Sequence, residues 1–120
     1  MKTILVVDDN PANRALIYEL LSAAGHRLVE ACDGEEALQK VEEESPDLVL
    51  LDLLMPKLDG YAVLKKLRQD PRNAKLKVVA LTAQAMQGDT EKGLAAGFDD
   101  YITKPIDTAE LLTKVEEMLG

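Results

Sequence analysis

Short apolar runs alternate along the chain with longer amphipathic stretches. The runs 4–7 and 48–51 are unbroken, and an aspartate follows each of them. An unbroken apolar run of this length is typical of a strand buried on both faces, as in a parallel sheet. Three further short runs, each of which includes polar residues, complete the pattern, so that five strands are predicted. They cover residues 4–7, 27–31, 47–52, 77–82 and 99–102.

The stretches between the strands have the apolar spacing of helices and carry helix-capping residues. Asn10 and Asp33 stand just before two of these stretches, and their side chains can accept hydrogen bonds from the first helical N–H groups. Gly25 is predicted to end the first helix in the left-handed conformation. Helices are therefore predicted over 11–24, 34–44, 61–68 and 86–96, and from 108 to the C-terminus.

Two of these helices carry more specific predictions. In the first, four apolar residues recur at a spacing of four and are predicted to form one apolar face. They are Leu16, Ile17, Leu20 and Leu21. In the fourth, Gly88 and Gly93 each cost about 1 kcal/mol relative to alanine, so this helix is predicted to be the least stable element.

The alternation of strands and helices, with short connections, indicates a parallel sheet with helices on both faces. The predicted fold class is therefore α/β, with five parallel strands in a doubly wound sheet. A length of 120 residues is enough for a single core. One domain is predicted over residues 1–120.

Composition narrows the class of protein further. The net charge of -8 argues against a nucleic-acid surface, which needs clusters of Lys and Arg. No apolar run approaches the roughly 20 residues of a membrane helix, and no signal peptide is recognisable. The single cysteine, Cys32, excludes an internal disulfide and suits a cytoplasmic protein. The single histidine, His26, is predicted to lie on the surface.

Residues that can do chemistry follow several of the predicted strands. Asp8 and Asp9 follow the first strand, Asp52 ends the third, Thr82 ends the fourth, and Lys104 follows the fifth. Parallel strands present their carboxyl ends at one edge of the sheet, where open α/β sheets bind ligands. Plainer interpretations remain open: the aspartates as caps, the threonine as a strand former and the lysine as a solvated loop residue.

Three carboxylates brought together would repel one another. At an effective dielectric near 20, two unit charges 4 Å apart cost about 4 kcal/mol, so such a site needs a cation. Mg²⁺ fits, because it prefers oxygen ligands and shares its coordination between carboxylates and a phosphate. One carboxylate would remain as a nucleophile, and Asp52, alone on the central strand, is the geometric choice. Thr82 and Lys104 could then hold phosphoryl oxygens.

Taken in order, these motifs resemble the receiver domain of two-component response regulators. The matching residues are Asp8-Asp9, Asp52 followed by Met55-Pro56 and Gly60, Thr82-Ala83 and Lys104-Pro105. The resemblance covers essentially the whole chain. It implies the flavodoxin-like strand order 2-1-3-4-5, known from the chemotaxis member of the family, in which strands one and three are neighbours.

The resemblance also implies how the acidic residues would act. Asp52 would accept a phosphoryl group from a histidine kinase or a histidine phosphotransfer protein. Asp9 and Asp52 would bind Mg²⁺ directly, together with the backbone carbonyl of Leu54. Asp8 would act through a metal-bound water.

Further roles follow from the same resemblance. Thr82 and Lys104 would contact the phosphoryl group, and Tyr101 matches the aromatic switch residue of the family, although it could equally be a static core residue. Output to a downstream protein would run through the fourth helix, fifth strand and fifth helix. Leu54 and Gln84 occupy the variable positions that tune phosphoryl lifetime. Since Leu54 cannot position a hydrolytic water, slow self-dephosphorylation is predicted, and Leu54→Asn should accelerate it.

Three rival functions remain open. The first is a pseudo-receiver, which only binds partners; the complete acidic set argues against it. The second is a flavodoxin-like nucleotide or flavin binder, which needs a phosphate cradle after the first strand, where this chain has Asp-Asp-Asn-Pro. The third is a phosphohydrolase, which needs a second acid just beyond the nucleophile, where Leu53-Leu54 offers none. No dedicated enzyme is predicted, only self-catalysed transfer to Asp52 and slow autodephosphorylation.

Overall fold

The computed structural model describes residues 2–53, 60–82, 97–103 and 106–119. Within them, five parallel strands form one sheet in the order β2-β1-β3-β4-β5. The strands are β1 (Thr3–Val7), β2 (Arg27–Ala31), β3 (Leu48–Asp52), β4 (Lys77–Thr82) and β5 (Asp100–Thr103). The helices are α1 (Pro11–Ala23), α2 (Gly34–Glu44), α3 (Gly60–Gln69) and α4 (Thr108–Leu119), with a 3-10 turn at Pro71–Asn73. The predicted α/β fold and strand order are confirmed, and the predicted helix over 86–96 lies outside the described residues.

Among the described residues, the two faces of the sheet are covered by different helices. All five residues of β3 are buried, and they alternate between the two sides. Leu48 and Leu50 pack with α1 and α4, whereas Val49 and Leu51 pack with α2 and α3. The unbroken apolar runs of the central strands are thus explained by burial on both faces.

The predicted caps are present. The Asn10 side chain accepts hydrogen bonds from the backbone N–H of Ala12 and Asn13 at the start of α1. The Asp33 side chain accepts from the backbone N–H of Glu36, 2.8 Å away. The Glu36 carboxylate in turn accepts from the backbone N–H of Cys32 at 2.6 Å, one residue before the cap. Gly25 has φ +96, as its left-handed role requires.

The predicted surface position of His26 was wrong, and the predicted apolar face of α1 is only partly buried. Leu16 is 37% exposed, whereas Ile17 and Leu21 are buried, because only one stripe of α1 can face the sheet. The His26 side chain is only 10% exposed, and its Nε2 lies 2.9 Å from Glu116 Oε1 on α4. A turn between α1 and β2 is therefore joined to the C-terminal helix, which the local sequence does not reveal.

Four strand boundaries also shift by one residue, the first being β1, which begins at Thr3 rather than Ile4. Strand β3 begins at Leu48 rather than Asp47, although the Asp47 N–H donates to the Thr3 carbonyl at 2.8 Å and its carboxylate accepts from the Thr3 N–H at 2.9 Å. Strand β5 begins at Asp100 rather than Asp99 and includes Thr103. Three of these shifts lie at the amino ends of strands, and the gain of Thr103 lies at a carboxyl end. Below, the amino edge and the carboxyl edge of the sheet are the edges formed by those ends of the strands.

Candidate functional site

Three carboxylates meet at the carboxyl edge of the sheet. One oxygen from each of Asp8, Asp9 and Asp52 lies within 4.8 Å of the others. Asp8 and Asp52 are buried, at 0% and 4% exposure, and Asp9 is exposed. Strands β1 and β3 are hydrogen-bonded neighbours, with Val7 opposite Leu51, so their next residues leave the sheet side by side. The structure therefore brings together the three aspartates that the sequence singled out, which are called the acidic set below.

Hydrogen bonds to three described residues hold Asp8 in place. Its N–H donates to the carbonyl of Ala31 at 3.2 Å, which extends the pairing of β1 with β2. Its Oδ1 accepts from the backbone N–H of Asn10 at 2.9 Å. Its carbonyl accepts from Arg14 Nη1 at 2.6 Å. Asp8 is thus oriented before any ligand arrives, which lowers the cost of assembling a site.

Asp52 is held at the end of β3 by close backbone packing. The N–H of Leu53 donates to the carbonyl of Leu81 on β4 at 3.1 Å. The N–H of Gly60 donates to the carbonyl of Leu53 at the same distance. A Cβ at Gly60 would lie 2.6 Å from the Asp52 carbonyl oxygen, closer than atoms can approach. The glycine is required because the start of α3 passes directly beside the strand.

Thr82 lies at the same edge, as predicted. It is the last residue of β4 and follows Leu81, which is paired with Asp52. Its side chain is partly exposed. Lys104 and Leu54 lie outside the described residues, so their predicted roles remain predictions.

Tyr101 is partly buried on β5 and is covered by a cation. Lys114 Nζ, on α4, lies 4.8 Å from the centre of the Tyr101 ring. The same ammonium donates to Asp100 Oδ1 and to the Tyr101 carbonyl, each at 3.0 Å. A cation held over an aromatic face is stabilised electrostatically. In this structure the tyrosine therefore has a specific partner on α4.

The donor set fits a hard divalent cation. All three ligand candidates are carboxylates, two of them buried, and such oxygens are the preferred ligands of Mg²⁺ and Ca²⁺. Three negative charges at this separation repel, and a divalent cation removes that cost. The arrangement is compatible with a divalent metal site.

Two residues of this site were missed or only half understood from the sequence. Arg14 was not singled out, although it follows the Asn10 cap by one helical turn, and that spacing could have suggested that it reaches back to the loop. Gly60 was quoted as a motif residue, but its close approach to Asp52 could not be inferred.

Cys32 is exposed, and nearby carboxylates, chiefly Glu36 through a hydrogen bond, raise its pKa. A raised thiol pKa lowers the fraction of reactive thiolate at Cys32.

Comparison with known proteins agrees with this geometry. A family model described as the response regulator receiver domain matches residues 4–116. The transcriptional regulatory protein PhoP of Bacillus subtilis is 43% identical over 118 residues, which are 98% of this chain and 48% of PhoP. RpaA of Synechocystis, described as a DNA-binding dual master transcriptional regulator, is 40% identical over 99% of this chain and 49% of its own length. The chain thus spans about half the length of these relatives.

Two solved structures have the same fold as this chain over nearly its whole length. The receiver domain of the sensor histidine kinase PA1611 from Pseudomonas aeruginosa, described with a magnesium ion coordinated in its active-site cleft, has a TM-score of 0.91 and 37% identity. The match covers 99% of this chain and 98% of that one. The chemotaxis regulator CheY4 of Vibrio cholerae has a TM-score of 0.94 and 28% identity, with 99% of each chain covered. Across the part of the chain that the structure describes, no helix is both long and apolar enough to cross a bilayer.

Proposed function

The chain belongs to the response regulator receiver domain family of two-component systems, and we propose that it accepts a phosphoryl group on Asp52. The observation that carries this proposal is the convergence of Asp8, Asp9 and Asp52 at the carboxyl edge of the sheet. Of the three, Asp52 is the buried carboxylate at the end of the central strand β3.

The acidic set is the proposed Mg²⁺ site, with the Leu54 carbonyl as an expected further ligand. When bound, the ion neutralises the carboxylates and the negative charge of an incoming phosphoryl group. The chain's own contribution is to hold the carboxylates in place through the hydrogen bonds of Asp8 and the close packing of Gly60.

In the proposed reaction, an Asp52 carboxylate oxygen attacks the phosphorus of a donor in line with the leaving group. A P–O bond to Asp52 forms as the donor's bond to phosphorus breaks, and its electron pair leaves with the donor, which is the imidazole of a phosphohistidine in a kinase or phosphotransfer protein. The Thr82 hydroxyl and the Lys104 ammonium are proposed to donate hydrogen bonds to phosphoryl oxygens. Output to a downstream protein is proposed to run through the predicted helix over 86–96, β5 with its Tyr101, and the C-terminal helix α4.

The remaining expectations stand as part of the same proposal. They are a single receiver domain over 1–120, a cytoplasmic location, and slow self-dephosphorylation because Leu54 is apolar. The expectation that the protein has no nucleic-acid partner is not confirmed, since RpaA is described as DNA-binding. The net charge of -8 supports a protein partner for the receiver itself.

Intact-mass measurement after exposure to acetyl phosphate tests the proposal. We expect one phosphoryl adduct in the wild type with Mg²⁺, and none with a chelator or in Asp52→Asn. Asp47→Asn is the matched control, because it removes a carboxylate just before the other end of β3. The absence of an adduct in folded wild-type protein, with both acetyl phosphate and a phosphorylated histidine protein, would favour the pseudo-receiver instead.

A further inference from the structure

Asp8 and Asp9 are consecutive residues, yet their carboxylates reach the same point. In an extended strand, successive side chains point to opposite faces of the sheet. The chain must therefore turn between them, and it does bend at Asp9, two residues after β1 ends at Val7. The peptide group that links the two residues decides whether both carboxylates can contribute to one site.

Arg14 binds this peptide group. Its Nη1 donates to the Asp8 carbonyl, which belongs to the Asp8–Asp9 peptide, at 2.6 Å. Its Nε lies 3.5 Å from Glu30 Oε1 on β2. The side chain is 20% exposed, and the first helical hydrogen bond of α1, from Arg14 N–H to the Asn10 carbonyl, fixes its backbone. One guanidinium thus joins β1, β2 and α1 at the bend.

We propose that Arg14 is a positioning residue of the cation site, which holds the Asp8–Asp9 peptide in the orientation that lets both carboxylates face Asp52. This inference rests on the proposed function in one respect, that the acidic set binds Mg²⁺. Only arginine can bind a carbonyl through one nitrogen and a carboxylate through another in a fixed planar fork. A partner of this kind, which orients metal ligands without touching the metal, typically changes affinity by about 10- to 100-fold when removed.

The direction in which Mg²⁺ affinity changes when Arg14 is replaced distinguishes a positioning role from a purely electrostatic one. If Arg14 contributed only its positive charge, removing it would strengthen the binding of a cation, because like charges repel. If Arg14 positions the peptide, removing it weakens binding in spite of that gain. The two explanations therefore predict opposite changes in Mg²⁺ affinity.

The experiment is a calorimetric titration of the unphosphorylated protein with Mg²⁺. We expect Arg14→Met to bind about tenfold more weakly than wild type. Arg14→Lys, which keeps the charge but loses the fork, should bind several-fold more weakly. The matched control is Arg27→Met, which removes the same charge and also an ion pair, Arg27 to Glu44 at 2.7 Å, but at the amino edge of the sheet. It should bind like wild type.

A second measurement needs no metal. Hydrogen exchange of the Asn10 amide, which donates to Asp8 Oδ1 at 2.9 Å, should accelerate in both Arg14 variants and not in Arg27→Met. Unchanged or tighter Mg²⁺ binding by Arg14→Met would overturn the inference. Should that variant not fold, wild-type affinity in Arg14→Lys would overturn it. A wild type that binds no Mg²⁺ would instead overturn the proposed function, and with it the role of Arg14 at that site.

Discussion

At the amino edge of the sheet, acidic side chains are matched with hydrogen-bond donors, whereas at the carboxyl edge three of them converge on one point. Asp47 accepts from the Thr3 N–H, Asp70 from the Arg72 side chain and backbone, and Asp99 from the Val78 N–H and Arg68. At the other edge, the acidic set lies within 4.8 Å, and two of its members are buried. The residue type is the same, but its surroundings differ.

The comparison of the two edges distinguishes carboxylates that stabilise the fold from carboxylates that are positioned to bind a cation. A carboxylate that caps a backbone N–H or pairs with an arginine is most favourable in its ionised form, and contributes to stability. Carboxylates that face one another repel, and a cation bound between them removes that repulsion. Substitutions at the two edges should therefore have different, and sometimes opposite, consequences for stability.

The largest effect is expected for Gly60→Ala. The new Cβ would lie 2.6 Å from the Asp52 carbonyl oxygen and 2.9 Å from the Leu53 Cα, both backbone atoms that cannot rotate away. We expect the free energy of unfolding to fall by about 3 kcal/mol, the upper range for overpacking. Denaturant titration measures it.

Gly25→Ala is the matched control at the amino edge. A Cβ there meets nothing within 4 Å, so only its φ of +96 opposes alanine. The cost should be about 1 to 2 kcal/mol, the penalty for an L-residue in the left-handed region. An equal or greater loss of stability in Gly25→Ala would show that the approach of α3 to Asp52 is not a close constraint.

The next largest effect is the change in folding stability on replacing an aspartate with asparagine, which should have opposite signs at the two edges. Asp52→Asn removes one of three like charges, so in the absence of metal we expect it to stabilise the protein by about 1 to 2 kcal/mol. Asp99→Asn can still accept from the Val78 N–H but loses its ion pair with Arg68, 3.3 Å away. It should destabilise by up to about 1 kcal/mol.

Thermal unfolding in chelator, and again in excess Mg²⁺, checks both values. Added Mg²⁺ should raise the wild-type midpoint, because it binds the folded state, and should raise that of Asp52→Asn much less. A destabilised Asp52→Asn in chelator would mean that repulsion within the acidic set is not the dominant interaction of Asp52.

Sequence reasoning succeeded where the signal is local or follows from the sheet itself. The apolar runs 4–7 and 48–51 predict central strands, and Asn10 and Asp33 cap the helices as expected. The three aspartates could be placed at one edge because parallel strands end together, although their adjacency came from the strand order that the resemblance implied. These inferences need only short-range patterns and one topological rule.

What the sequence could not provide depends on side chains that meet across the fold. Arg14 reaches back over a helical turn to a carbonyl, and His26 meets Glu116 across 90 positions. Leu16 belongs to an apolar set of four, of which the sheet can cover only one stripe. Periodicity identifies candidate faces, but packing decides which one is used.

A smaller effect is the pH-dependent contribution to stability of the exposed pair Asp70–Arg72 at the amino edge. The hydrogen bond from the Arg72 side chain is the main cause that lowers the pKa of Asp70. Since the pKa in the folded state lies below its ordinary value, the pair contributes stability above the ordinary aspartate pKa of about 3.9 and loses it as the pH falls through the folded-state value. The midpoint difference between wild type and Arg72→Gln should therefore be positive at pH 7 and vanish in acid.

The control for this pair is Lys75→Gln, since Lys75 forms no ion pair with the described residues. Its difference from wild type should change much less with pH. A difference for Arg72→Gln that persists unchanged at the lowest pH would show that the arginine acts through packing rather than through Asp70.

The smallest effect is a change in the alkylation rate of Cys32, which follows β2 at the carboxyl edge. Glu36 raises the pKa of the Cys32 thiol, first through a side-chain hydrogen bond and then through its charge, and Asp33 adds to the effect. Because the thiolate is the reactive form, alkylation by iodoacetamide at pH 8 should be slow although the side chain is exposed. Glu36→Gln should accelerate it several-fold, whereas Glu35→Gln, on the same helical turn but not among the groups that shift this pKa, should change it little. Equal rates in the two variants would contradict the idea that individual carboxylates at this edge act on their neighbours, and would leave only the overall negative charge of the protein to slow the reaction.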